Sequence, residues 1–289
     1  MIELDYVVIG HTTRDLKKQA FAVGGTASYA ARTARRLGCR VGVITSADPA
    51  LDLSEPLGNV LVARFPAEES TTFENIDANG RRQQVVHTTA ETLVPAMVPK
   101  DWRTAIVHIG PVVHECDPAL IGAFGEAFVG VTPQGWMRQW DGRGQVSRRP
   151  WREAEKLLPH ADAVVLSEED LGGDRSLAVQ YAAQTRTLAL TQGAAGCTIY
   201  AQGEIRHFTP PAVTELDSTG AGDIFAASFF CALHCGRDPW AAARFANCIA
   251  AQSVTRPGLS GTPDREEAAR CRQAVWGDGV GDAHHLRAG

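Results

Sequence analysis

Short apolar runs of strand length alternate with helix-patterned segments through most of this chain, and that alternation confines it to βαβ units around a largely parallel sheet. The candidate strands are 6–10, 40–45, 60–62, 106–109, 128–132, 163–166 and 187–191. The clearest candidate helix covers 26–37. Ala27, Ala30, Ala31, Ala34 and Leu37 share one face, Arg32, Arg35 and Arg36 form a solvated one, and Gly38 stands as the C-cap. Residues 224–235 are apolar all round and predict a buried helix stopped by Gly236, after which Asp238-Pro239 supplies the N-cap and first-turn proline of another helix reaching about Val254. At 289 residues and 44% apolar content the chain can bury a large core, so one α/β domain over 1–276 is expected, with 277–289 as a disordered polar tail.

One stretch breaks this rhythm. Residues 72–77 and 81–87 read as a hairpin around Asn79-Gly80, the pair favoured by a type I′ turn. With the extended segment 12–23 it predicts a small second sheet, so the lid segments are placed at about 12–23 and 70–98. Such a flap covers an active site and excludes water, or it is an ordinary edge hairpin; the sequence leaves both open.

Charge narrows the partners. A formal net charge of −5 with no long basic run argues for small molecules and against nucleic acid. No segment reaches the ~18 apolar residues of a membrane span, and the charged start Met1-Ile2-Glu3-Leu4-Asp5 does not read as a signal peptide, so a cytoplasmic protein is expected. The seven cysteines suggest neither a disulfide framework nor C-x-x-C metal spacing, and Cys231 and Cys235 read as buried thiols in an apolar helix.

The chemistry concentrates in Asp217-Ser218-Thr219-Gly220-Ala221-Gly222-Asp223. Two glycines a residue apart let backbone N–H groups turn inward, and the helix that follows adds its positive dipole end, which together make an anion site. A carboxylate at that spot would repel a resting phosphate. Asp223 is better placed as a base that takes a proton from an attacking hydroxyl while Gly220, Ala221 and Gly222 stabilise developing charge. The string resembles the C-terminal signature of the ribokinase-like (PfkB) carbohydrate kinases, Asp-Thr-x-Gly-Ala-Gly-Asp, with Ser218 at the second position.

The resemblance extends over most of the chain and implies a ribokinase-like three-layer α/β/α fold with a mostly parallel central sheet and a small β lid. Within Val23-Gly24-Gly25-Thr26-Ala27-Ser28, the double glycine matches the turn that faces substrate hydroxyls, and Ser28-Tyr29 stands where an asparagine is usual. Asp15 matches the aspartate that holds two sugar hydroxyls, unless it pairs with Arg14 or Lys17. Thr191, Gly193 and Gly196 match the Thr-x-Gly-x-x-Gly nucleotide loop. Asn247 matches an adenine-side asparagine, or is a buried amide satisfied by its neighbours. At the usual Asn-x-x-Glu, which organises the water shell of Mg²⁺, this chain has Ser167 and Asp170, a departure that implies altered metal affinity through water-mediated contacts.

Asn75, Arg82, Gln134 and Arg138, at flap and strand ends, are similar to the inositol-kinase-like branch, with surface solubility or packing as the alternative for Arg82, Arg138 and Gln134. The implied activity is transfer of the γ-phosphate of ATP to an alcohol of a sugar or polyol, myo-inositol-like foremost. ATP, Mg²⁺ and, as a further candidate, a monovalent cation are the implied cofactors, and the resemblance also implies pairing of two copies through the lid. Two alternatives stand beside it: a non-catalytic nucleotide or polyol sensor on the same fold, and a nucleoside kinase of the same family. A dinucleotide oxidoreductase is disfavoured because Gly10-His11-Thr12-Thr13 lacks the G-x-G-x-x-G turn.

Overall fold

A computed structural model describes residues 1–17, 20–78 and 81–277, with the backbone alone at 77, 78, 81 and 82. In chain order the strands are β1 (Ile2–Ile9), β2 (Thr13–Lys17), β3 (Ala20–Gly24), β4 (Val41–Ala47), β5 (Leu61–Pro66), β6 (Thr72–Ala78), β7 (Arg81–Thr88), β8 (Trp102–Ile109), β9 (Phe128–Val131), β10 (Arg138–Trp140), β11 (Val146–Arg148), β12 (Ala163–Ser167), β13 (Thr187–Thr191), β14 (Cys197–Ala201) and β15 (Glu204–Phe208). The helices are α1 (Thr26–Arg36), α2 (Ser54–Leu57), α3 (Ala154–Leu157), α4 (Arg175–Ala182), α5 (Ala221–His234), α6 (Pro239–Ser253) and α7 (Arg265–Trp276).

The main sheet runs β15-β14-β13-β12-β9-β8-β1-β4-β5. From β5 to β13 every neighbouring pair is parallel, and only β14 and β15 are antiparallel. Strand pleating sends alternate residues to opposite faces. Tyr6 and Val8 of β1 accordingly enter a core with α1, α5, α6 and α7, whereas Val7 and Ile9 enter a second core with Leu120, Trp136 and Leu190. The result is a sheet covered on both faces, which is why its strands read as continuous apolar runs. Helix α5 is apolar all round because α1, α6 and the sheet all pack on it. It approaches β9 closely at Gly130, where an added Cβ would overlap the Phe230 ring.

A smaller sheet of order β3-β2-β6-β7 stands outside the main one. It is built from the segment and hairpin expected from the sequence, with β2 and β6 parallel and the two outer pairs antiparallel. Asn79-Gly80, the Arg82 side chain and the tail from 278 onward lie outside the described residues.

Three differences from expectation have physical reasons. The strand expected at 60–62 is Leu61–Pro66, because its partner β4 continues to Ala47 and extends the register to Ala47 with Pro66. The hairpin of β14 and β15 turns on Gln202 and Gly203, both at positive φ (55° and 75°), which is a two-residue turn without the Asn or Asp that usually marks one. The cysteines also hold a correction: Cys248 on α6 and Cys271 on α7 form a disulfide, 23 residues apart. Their linear spacing carries no motif, and only the packing of α7 on α6 brings the two together. Cys231 is a buried thiol as expected, with its Sγ 3.8 Å from Cys39 Sγ, and Cys235 is half-buried. Among the described residues no helix is long and apolar enough to cross a membrane.

Candidate active site

Parallel strands end on the same side of a sheet, so the segments after β1, β8, β9, β12 and β13 collect along one edge. Chain direction across the sheet reverses between β1 and β8, since β4 lies on the other side of β1. A crevice opens at such a switch point. Here Gly10 and Gly110 follow the paired ends Ile9 and Ile109, and a Cβ on Gly10 would overlap the Gly110 carbonyl oxygen.

Asp15 sits two residues into β2, where it accepts a hydrogen bond from Thr13 Oγ1 at 2.9 Å. Gly24, at the end of β3, abuts it so closely that any Cβ would overlap Asp15 Oδ2. Gly25 at φ 85° then turns the chain into α1, and a Cβ there would strike the His11 carbonyl. Both glycines are therefore required by close approach, one to the carboxylate and one to the backbone. The next residue, Thr26, donates from Oγ1 to Asp223 Oδ1 at 2.8 Å across 197 residues of sequence. That bond joins the N-terminal turn to the first turn of α5.

The turn before α5 is held by Asp217, whose carboxylate accepts from Thr219 N and Gly258 N, both at 2.9 Å. Gly220 takes the left-handed conformation (φ 79°) as N-cap, against the buried ring of Tyr29. The opening N–H groups of a helix lack intrahelical acceptors, and beside Gly222 a Cβ would meet nothing within 4 Å. Donors thus border open space at the position of Asp223. Burial pushes the Asp223 carboxyl up to about 6, against the Thr26 hydrogen bond and the Arg138 guanidinium, which pull it down, while Asp170 and Asp15 add to the rise. Asp15, Asp170 and Arg138 are therefore all close enough for their charges to act on Asp223.

Arg138, at the start of β10, donates from Nη1 to the Val112 carbonyl at 3.0 Å and lies 5.9 Å from the Phe73 ring centroid. It links the small sheet to the loop after β8. At the end of β12, Ser167 and Asp170 bind each other reciprocally: Ser167 N donates to Asp170 Oδ2 at 2.8 Å, and Asp170 N to Ser167 Oγ at 3.1 Å. Gln134 Nε2 reaches Asp170 Oδ1 at 3.5 Å, which places a residue expected at the acceptor beside one expected near the metal. A carboxylate has about four lone-pair positions, so Asp170 retains capacity toward a hydrated cation. Among the described residues no cluster of three or more His, Cys, Asp or Glu is suited to hold a metal ion.

Thr191 ends β13 opposite Ser167 in register, and the turn that follows has Gly193 and Gly196 at φ 55° and 99°. Open space fronts Gly193, whereas Gly196 is pressed against the Phe208 carbonyl. Asn247 is buried, and its Nδ2 donates to that same carbonyl at 2.9 Å. It braces the turn from behind, as the alternative reading of a satisfied buried amide foresaw. Two other residues expected at the substrate make hydrogen bonds within the protein. The fully buried Ser28 hydroxyl donates to the Gly24 carbonyl at 2.6 Å, one helical turn back, and so stiffens the glycine turn. Asn75 is exposed on β6 and accepts from Gln84 across the hairpin at 3.2 Å.

Thr26 and Tyr29 are the site residues that sequence reasoning passed over, although both lie within or beside the quoted glycine segment. The signal available was position: a hydroxyl at the first helical residue after a double glycine. Its partner 197 residues away was not readable.

Residues 145–265 match the model of the pfkB family carbohydrate kinases. Among curated relatives the chain is similar to an inositol 3-kinase of Zea mays, 30% identical over 131 residues that make up 45% of this chain and 34% of that protein. It is similar also to a fructokinase of Klebsiella pneumoniae, 36% identical over 87 residues, 27% of this chain and 28% of that one. The chain thus spans about a third of the length of the curated relatives it matches. Among solved structures, a pyrophosphate-dependent myo-inositol-1 kinase converted into a myo-inositol-3 kinase superposes with a TM-score of 0.77 at 20% identity, covering 94% of this chain and 99% of that one. The ribokinase of Arabidopsis thaliana, complexed with ribose and ATP, gives 0.72 at 18% identity, covering 93% and 99%. At such identities the likeness is one of fold. Residues 145–265 of the chain are thus similar to the pfkB family carbohydrate kinases, and its fold as a whole resembles that of ribokinase.

Proposed function

We propose that this protein is a phosphotransferase that moves the terminal phosphoryl group of ATP to an alcohol of a sugar or polyol, with a myo-inositol-like acceptor as the best candidate. The observation that carries the reading is the position of Asp223: a carboxyl raised by burial to about 6, in the first turn of α5, tied through Thr26 to the glycine turn that abuts Asp15. A base with that value is ionised at neutral pH and still accepts a proton readily.

In this reading Asp15 and the Gly24-Gly25 turn hold the acceptor so that one hydroxyl points at Asp223. Asp223 takes its proton as the new oxygen–phosphorus bond forms and the bond to the donor's bridging oxygen breaks. The N–H groups of Gly220, Ala221 and Gly222 stabilise the charge on the transferred group, and Arg138 supplies a cation on the lid side. Thr191, Gly193 and Gly196 border the donor, with Asn247 supporting their turn. Ser167 and Asp170 would hold the water shell of Mg²⁺, which when bound neutralises donor phosphate charge. The lid covers the crevice and keeps water from competing with the acceptor.

A second donor has support of its own, since structural neighbours at TM-scores of 0.77 are pyrophosphate-dependent. The test therefore runs ATP and pyrophosphate in parallel over inositols, ribose, fructose, ketodeoxy sugars and nucleosides, and follows phosphorylated product. Transfer to a polyol that Asp223→Asn abolishes, with donor binding retained, is the expected result. Ligand binding without transfer from either donor would replace the kinase reading with that of a sensor.

A further inference from the structure

The hydroxyl of Thr26 donates a hydrogen bond to Asp223 Oδ1 at 2.8 Å, and its surroundings constrain its direction. Thr26 is the first residue of α1 and is buried. Gly25, at φ 85°, sets where the helix begins. On its other side the Thr26 methyl fills the space at Gly110, where a Cβ would overlap it, and Thr132 Oγ1 closes the same niche. Packed this way, the β-branched Thr26 side chain is restricted at χ1. Its single proton points at Asp223 Oδ1.

We propose that Thr26 is a positioning residue for Asp223: by occupying Oδ1 it turns Oδ2 toward the acceptor hydroxyl, and it transmits the seating of the Gly24-Gly25 turn directly to the base. The proposal rests on the phosphotransferase reading for its catalytic consequence, while the orientation of the carboxylate does not. Any shift of the glycine turn on substrate contact would carry the start of α1 with it, because Gly25 joins the two. The same displacement moves the Thr26 oxygen, so a misplaced acceptor meets a misaligned base. Gly25 is needed for this coupling as well as for close approach, because any other residue at φ 85° would shift the first turn of α1.

The charged and titratable groups facing Asp223 are Asp15 from β2, Asp170 from the end of β12, Arg138 from β10, and the Tyr6 phenol of β1, whose own pKa is raised, chiefly by burial and in part by the Asp223 charge. None of these changes when Thr26 does, so a shift in Asp223 behaviour on Thr26 substitution reports the one bond removed. Because Thr26 donates to the ionised carboxylate, losing it favours the protonated form.

The experiment compares Thr26→Val, which keeps the methyl and nearly the same shape, with Thr26→Ser, which keeps the hydroxyl. Val is expected to lower kcat about ten- to hundredfold, the span of a lost hydrogen bond to a charged group, with little change in acceptor KM. It should also move the acid limb of the kcat profile up by about one pH unit, and Ser should restore both. Carbon-13 carboxyl NMR of Asp223 reads the same shift without any turnover, so the inference remains testable if the full chain proves to transfer no phosphoryl group. A Val protein with unchanged kcat and an unmoved Asp223 titration overturns it, as does a folded Ser protein no better than Val. Should Val fail to fold, the Ser protein decides alone: a wild-type Asp223 midpoint supports the proposal, and a raised one refutes it.

Discussion

The ring of Tyr29 lies where a Cβ on Gly220 would have to sit. Tyr29 belongs to α1 and is buried, and Gly220 is the left-handed N-cap of α5, so the two helices that frame the crevice meet through a glycine and an aromatic face. The Gly220 turn is therefore part of the core packing as well as of the candidate site.

Two glycine substitutions separate those roles. Gly220→Ala forces a side chain into φ 79° and into the Tyr29 ring, and should cost roughly 2–4 kcal/mol in denaturant unfolding, the combined scale of left-handed strain and overpacking. Gly222→Ala has a negative φ and open space, and Ala favours the helix, so its stability should stay within about 1 kcal/mol of the parent or rise. The added methyl nonetheless occupies the space a phosphate would approach, and turnover should drop sharply. Paired melts and transfer rates check this. A fully active Gly222→Ala protein would remove that space from the donor path.

The reciprocal bonds of Ser167 and Asp170 bear on the metal use proposed above. Asp170→Asn keeps an acceptor for the Ser167 N–H but loses the charge, so the fold should persist while the Mg²⁺ concentration for half-maximal rate rises about ten- to hundredfold, the usual range for outer-shell changes. Asp170→Ala would also leave the half-buried Ser167 N–H unpaired and lower stability by about 1–3 kcal/mol. A magnesium titration of the transfer rate distinguishes the cases. An Asn protein with the parent's magnesium requirement would show that Asp170 takes no part in holding the ion's water shell.

The fold was legible where periodicity and punctuation agree. Thr187–Thr191 is found at the expected bounds, and the expected first helix differs from Thr26–Arg36 by one residue, because Gly38 stops it. Helix α6 begins after Asp238, whose carboxylate accepts from Trp240 N and Ala241 N as an N-cap should. What escaped notice is tertiary in origin. The Cys248–Cys271 bridge, the Phe208 carbonyl shared by Asn247 and Gly196, and the Thr26–Asp223 bond all join segments whose spacing carries no pattern. Even so, the Gly24-Gly25, Ser167–Asp170, Thr191–Gly196 and Asp217–Asp223 segments each end a strand of the parallel run or open a helix, which is why motifs distant in sequence could be grouped before their contacts were known.

Asp223 should also set a stability penalty that pH reveals. Its carboxyl titrates near 3.8 in an unfolded chain and at about 6 in the fold, raised chiefly by burial. Below pH 3.8 both states hold the proton. Between those two values the folded state keeps a proton that the unfolded chain has released, so this group makes stability fall as pH rises, and above about 6 the penalty is constant. A difference of about two pH units corresponds to roughly 3 kcal/mol at most. Asp223→Asn, which can still accept from Thr26, should therefore be the more stable protein at pH 8, by about 1–3 kcal/mol, with the gap closing as pH is lowered toward 4. Urea unfolding of both proteins at pH 8, 6 and 4 measures it. Equal stability at pH 8 would mean that the crevice solvates the Asp223 carboxylate as well as water does, and that its basicity at the site is that of an ordinary aspartate.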